Sequence, residues 1–131
     1  PMELSESVEM YLETILFLVQ RQDEVRAVDI ASRMGFSKPA VSRAVNRLKA
    51  GSLIESDDRG LISLTEHGRM IASNLMHRRH ILTQLLICLG VDEQTASEDA
   101  CRMEHQISDR SFEAIENHLK EHAPEVFNPG I

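Results

Sequence analysis

Disulfide-forming cysteines, long apolar runs and an excess of positive charge are all missing from this sequence. Its two cysteines, Cys88 and Cys101, do not make a disulfide framework. No segment has the apolar stretch of a signal peptide or the roughly 20-residue span of a membrane helix, so the reading is a protein of the reducing cytoplasm with no membrane partner. Repeats and low-complexity tracts are absent too. No substrate cleft or Ser-His-Asp arrangement is suggested, which argues against an enzyme. The formal net charge of −7 argues weakly against nucleic acid, but where the charges lie matters more than their sum. Residues 26–79 carry ten Arg and Lys against five Asp and Glu, whereas residues 92–125 carry three against ten. A basic module is followed by an acidic one, in a chain whose 131 residues suit one average domain or two small modules sharing a core.

What is present reads as mainly helix. Ser5 or Ser7 can cap a first helix in which Val8, Tyr11, Leu12, Ile15, Leu16 and Val19 recur with helical period down to about Gln22. A short helix over about Ala27–Met34 breaks at Gly35-Phe36, and a second starts at Ser37 or Lys38 and stops at Gly51. Ser37 can cap that second helix and Pro39 sits in its first turn, where a missing amide hydrogen costs nothing. Ile30, Val41, Val45 and Leu48 supply the inward face. The outward face is small and basic, and no acidic side chain occurs from residue 37 to residue 50. That composition suits a helix entering a major groove, so the pair reads as a helix-turn-helix.

Two apolar-rich runs, Leu53–Ser56 and Leu61–Leu64, flank Asp57-Asp58-Arg59-Gly60 and read as a hairpin, hence a wing. The expected DNA-facing set is Ser37, Lys38, Pro39, Ser42, Arg43, Asn46, Arg47 and Lys49, with Arg59 at the wing tip. Arg43 and Asn46 are the candidates for base edges, and Lys38, Arg47, Lys49 and Arg59 for phosphates. Asp57 and Asp58 limit the attraction the wing can supply. Thr65 then caps the longest helix, Glu66 towards Leu89, in which Gly68 is tolerated and which Gly90 ends. A helix over about Asp92–Ser108 and a last one over about Ser111–His122 follow, with Pro124 as the stop and a tail, residues 125–131, too poor in apolar groups to form another domain.

Cys101, Glu104 and His105 stand at i, i+3 and i+4 on the helix expected over Asp92–Ser108, which puts all three on one face. Sulfur, oxygen and nitrogen donors together suit a borderline divalent transition metal better than calcium or magnesium. The same spacing also suits a buried cysteine beside a surface Glu-His pair, and a complete metal site needs a further ligand from elsewhere. Met10 and Glu13, three apart on the first helix, gain interest only if they meet residues 101–105. Alone, Met10 reads as core filler and Glu13 as a solvated face.

In order and spacing, the winged helix-turn-helix, the long helix, and Met10, Glu13, His80, Cys101, Glu104 and His105 resemble the diphtheria-toxin-repressor family of metal-dependent transcriptional regulators. The likeness covers almost the whole chain. It implies a winged DNA-binding domain over residues 1–65, whose first helix also contributes metal ligands. Residues 66–131 would form a connecting helix and a helical metal-binding and dimerisation module. It further implies a homodimer on palindromic operator DNA, with a divalent metal as corepressor and no obligate further protein partner. The apolar rows of the long helix and its followers, more than one chain obviously needs, agree with a dimer.

The ligand set is a hybrid of two branches. Met10, Cys101, Glu104 and His105 match the primary site of the iron-responsive branch. Its ancillary site would use His80, but the accompanying glutamate and histidine are here Gln84 and Ser97, and its SH3-like domain has no counterpart in these 131 residues. Glu13, His80, Glu104 and His105 match the shorter manganese-transport-regulator branch, in which an aspartate and a glutamate stand where this chain has Met10 and Cys101. Thiolate and thioether make the site softer, which favours Fe(II), with Mn(II) next and Zn(II), Co(II) or Ni(II) as ligands in vitro. An ion held by Met10 on one side and by the residue 101–105 group on the other would favour one arrangement of the two modules. The resulting expectation is a repressor of metal-uptake genes, against the alternatives of a manganese-responsive repressor and a DNA-binding protein with a structural metal site only.

Overall fold

The structure is a computed structural model, described here over residues 5–127. Residues 128–131 of the expected tail lie outside the described residues. The chain forms two compact units, Pro1–Asn74 and Leu75–Ile131.

The first unit begins with α1 (Glu6–Val19), whose N-cap Ser5 accepts a hydrogen bond from the Val8 amide at 3.2 Å. Tyr11, Leu12, Ile15, Leu16 and Leu18 are buried, and each fully covered Leu or Ile stabilises the fold by roughly 1.5–3 kcal/mol. α1 stops three residues short of the expected Gln22. From Gln20 to Glu24 the side chains are all polar, and the amides of Arg21 and Gln22 both turn back to the Leu18 carbonyl.

α2 (Ala27–Met34) ends at Gly35, which takes the left-handed φ of 72° and returns its amide to Ala31. The Phe36 amide joins the same carbonyl, and α3 (Lys38–Ala50) follows, its N-cap Ser37 accepting from the Ala40 amide at 3.3 Å. On α3 the buried row is Val41, Ala44 and Leu48. Val45, expected inside, is half-buried and Ala44 takes its place, since 41, 44 and 48 share one helical stripe. β1 (Ile54–Ser56) and β2 (Ile62–Leu64) pair antiparallel with Ile54 opposite Leu64 and Ser56 opposite Ile62. The β2 amide of Ile62 also donates to the Val25 carbonyl at 2.7 Å, which fastens the wing to the loop between α1 and α2.

α4 (Glu66–Cys88) is one continuous helix that contributes to both units. At its start, Thr65 Oγ1 accepts from the Gly68 amide and donates to the Ser52 and Leu53 carbonyls. Gly68 is required rather than merely tolerated. A Cβ at this position would lie 2.0 Å from the Leu53 carbonyl oxygen.

In the second unit α4 is followed by α5 (Glu93–Met103), α6 (Asp109–His122) and a 3-10 turn, Pro124–Val126. Ile81, Leu82, Ala100, Phe112, Leu119, Ala123 and Val126 form its core. α5 ends five residues before the expected Ser108. The amides of Gln106 and Ile107 fold back on Met103, and Ser108 becomes the extended N-cap of α6, accepting from the Ser111 amide. An N-cap must leave helical geometry, so Ser108 cannot lie in α5, and α6 starts two residues earlier than expected. Among the described residues no helix is long and apolar enough to cross a membrane.

Candidate functional site

Cys101 lies in the last turn of α5, Glu104 is its C-cap, and His105 follows in the turn. The three therefore straddle a helix end instead of sharing a helix face, yet they converge. One donor atom from each, sulfur, carboxylate oxygen and imidazole nitrogen, lies within 4.8 Å of the other two. Donors about 2.0–2.3 Å from one shared ion stand at most about 4.6 Å apart, so the group is close to the size a single transition-metal ion spans. The Glu104 and His105 side chains are 0% and 1% exposed, and His105 Nε2 lies 3.3 Å from Glu104 Oε1.

A buried carboxylate is costly without a positive or hydrogen-bonding partner. Arg79 on α4 supplies one. Its Nη2 donates to Glu104 Oε1 at 2.9 Å and to Cys101 Sγ at 3.2 Å, and its Nε donates to Glu104 Oε2 at 3.3 Å. Sulfur and both carboxylate oxygens thus already face a cation, which together with the borderline donor set fits a divalent transition metal. Sequence reading missed Arg79, which lies 22 and 25 residues from its partners. The sequence signal was a basic residue directly before His80, but Arg79 was counted with the basic module. Arg78 was grouped there too, and in the second unit it donates to the Ile107 carbonyl at 2.7 Å and pairs with Asp109 at 3.5 Å.

His80 does not join the group. Its Nε2 is 3.1 Å from the Val126 carbonyl, which can only accept, so that nitrogen donates and the ring's lone pair lies on Nδ1. Gln84 is half-buried and Ser97 exposed. Met10 and Glu13 belong to α1 in the first unit, Met10 being 38% exposed and Glu13 buried. Glu13 is therefore no solvated face.

The nucleic-acid candidates all lie in the first unit. Ser37, Lys38, Pro39, Ser42, Arg43, Asn46, Arg47 and Lys49 are exposed, as is Arg59 on the wing. Arg59 Nη2 stands 3.6 Å from Asp57 Oδ2, an exposed pair of little energetic weight that still offsets part of the wing's positive charge. Asp57 organises the tip, its Oδ1 accepting from the amides of Leu61 and Arg59, both at 2.9 Å. The Leu61 amide chiefly holds the Asp57 carboxyl below the ordinary 3.8; desolvation opposes it, and the Arg59 amide and charge add to the lowering.

Comparison with known proteins matches both halves of the chain. The profile of the iron-dependent repressor N-terminal DNA-binding domain matches residues 3–61, and that of the iron-dependent repressor metal-binding and dimerisation domain matches residues 65–125. Transcriptional regulator MntR of Escherichia coli O6:H1 is 33% identical over 117 residues, 89% of this chain and 76% of that protein. Among solved structures, the manganese regulator SloR superposes with a TM-score of 0.74 at 30% identity over 86% of this chain and 53% of its own. A manganese-dependent transcriptional repressor in complex with manganese gives 0.76 at 29% identity, over 86% and 52%. The chain thus spans about half the length of those two solved chains.

Proposed function

The chain belongs to the diphtheria-toxin-repressor family of metal-dependent transcriptional repressors, and from that premise we propose that it represses metal-uptake genes with Fe(II) as corepressor. Binding of a divalent metal and of DNA is common to the family. The finer reading rests on the Cys101, Glu104 and His105 triangle. A thiolate where the manganese branch has a glutamate shifts preference from manganese towards the later, softer metals, and availability of ferrous iron in a reducing cell selects among them. Mn(II) is the second reading, supported by the structural neighbours described as a manganese regulator and as a manganese-dependent repressor.

When bound, the ion supplies a doubly positive centre joining sulfur, oxygen and nitrogen. Glu104 and His105 are the buried pair that sets its place, with Cys101 at the edge of α5. Met10 and Glu13 enter the proposal by their correspondence to family ligands. His80, whose Nε2 donates to the Val126 carbonyl, keeps Nδ1 as the nitrogen that would face an ion. We further propose that Arg43 and Asn46 read bases of a palindromic operator while Lys38, Arg47, Lys49 and Arg59 hold phosphates. Ser37, Pro39 and Ser42 allow close approach at the start of α3. Residues 66–131, the connecting helix together with the second unit, would carry the homodimer contact.

Operator binding titrated anaerobically with Fe(II), Mn(II), Co(II) and Zn(II) at matched free-metal concentration tests this. Half-maximal repressor–operator binding at lower free Fe(II) than free Mn(II) supports iron, and the reverse order supports manganese.

A further inference from the structure

We propose that Arg79 is a built-in competitor for the metal: its guanidinium binds the donor atoms an ion would take and must swing out before the ion can enter. The inference rests on Cys101, Glu104 and His105 being the ligands. Nη2 uses lone pairs of Cys101 Sγ and Glu104 Oε1 together, and Nε takes the second carboxylate oxygen. An ion about 2.0–2.3 Å from the same sulfur and oxygen would be crowded against a guanidinium that is charged at every physiological pH, and the like charges repel. The two cations exclude one another.

The partner that can leave is also identified by the geometry. Glu104 and His105 are sealed, whereas the Arg79 side chain is 38% exposed and ends a long, flexible stem. Swinging outward costs it little solvation, while leaving Glu104 alone would strand a buried charge. Arg79 therefore has two consequences that pull in opposite directions. It stabilises the protein before metal arrives and weakens the metal's apparent affinity, which raises the free-metal level at which the site fills.

A residue that stayed on Glu104 to orient it beside a bound ion would behave differently, because removing it would weaken metal binding. Co(II), whose thiolate coordination gives a charge-transfer absorption, is a suitable probe. Its affinity is measured by competition with a chromophoric chelator in the full-length wild type, Arg79→Gln, Arg79→Lys and Cys101→Ala, alongside thermal unfolding with and without Co(II). We expect Arg79→Gln to bind Co(II) about tenfold tighter or more while unfolding at a lower temperature when metal-free. The deficit should shrink in the loaded protein. Unchanged or weaker Co(II) binding by Arg79→Gln overturns the competitor role. Should that variant not fold, Arg79→Lys decides in the same way, since a single ammonium cannot hold the sulfur and both oxygens together. If Cys101→Ala binds Co(II) as wild type does, the ligand assignment itself fails, and this inference with it.

Discussion

Glu104 carries a charge in a place from which water is excluded, so whatever cation sits on it controls both the stability of the second unit and its chemistry. Its neighbours decide which cation is preferred. Replacing Cys101 with Ala removes the one soft donor, and we predict a loss of about 100-fold in affinity for Co(II) or Fe(II), read by chelator competition, with the winged unit still folded by circular dichroism. Cys101→Glu should instead narrow the gap between Fe(II) and Mn(II) or invert it; an unaltered preference would show that sulfur does not set selectivity. The trio itself was legible from spacing alone, because residues 101, 104 and 105 stay close whether the helix continues or ends. Arg79 was not legible: nothing local links it to residues 22 and 25 positions away, and only tertiary packing of α4 against α5 does so. Nor was the contact of His80, whose Nε2 meets a carbonyl of the C-terminal turn.

At the scale of elements, α3 and the wing were readable because their signals are local: a serine cap, a proline in the first turn, a glycine stop, and an Asp/Gly turn between two apolar runs. Replacing Arg47 or Lys49 with Ala should weaken operator binding across sequence variants and lower the slope of log affinity against log salt by about one. Unchanged affinity and slope would remove those residues from the interface. Less readable was the joint between the wing and α4, where Gly68 meets the backbone of Leu53. Helix propensity alone favours Ala at this position, but the clash predicts that Gly68→Ala destabilises the protein by about 1–3 kcal/mol in denaturant unfolding. Two carboxylates add a pH dependence. Hydrogen bonds from backbone amides, Leu61 for Asp57 and Thr95 for Asp92, hold each below 3.8, so each stabilises the fold above that pH and loses this contribution as pH falls through the lowered value. Asp92→Asn should accordingly flatten the acid limb of the unfolding-temperature profile.

At the scale of the whole molecule, the uneven charge read from the sequence corresponds to two units with different tasks, although Arg78 and Arg79 serve the second. Without those two, residues 26–74 still carry eight basic against five acidic side chains, enough to keep the first unit the one suited to phosphate. We expect the protein to sediment as a dimer at micromolar concentration, matching a two-fold operator. A monomer with full affinity for one complete operator would contradict that. Metal and operator binding must also be linked reciprocally, operator DNA tightening metal by the factor with which metal tightens operator. The most direct measurement is anaerobic operator binding with and without Fe(II), at fixed free metal, in wild type and Cys101→Ala. Wild type should show a metal-dependent rise in operator affinity that Cys101→Ala loses while retaining its basal DNA binding. A Cys101→Ala protein that kept the full rise would contradict the regulatory role of this site.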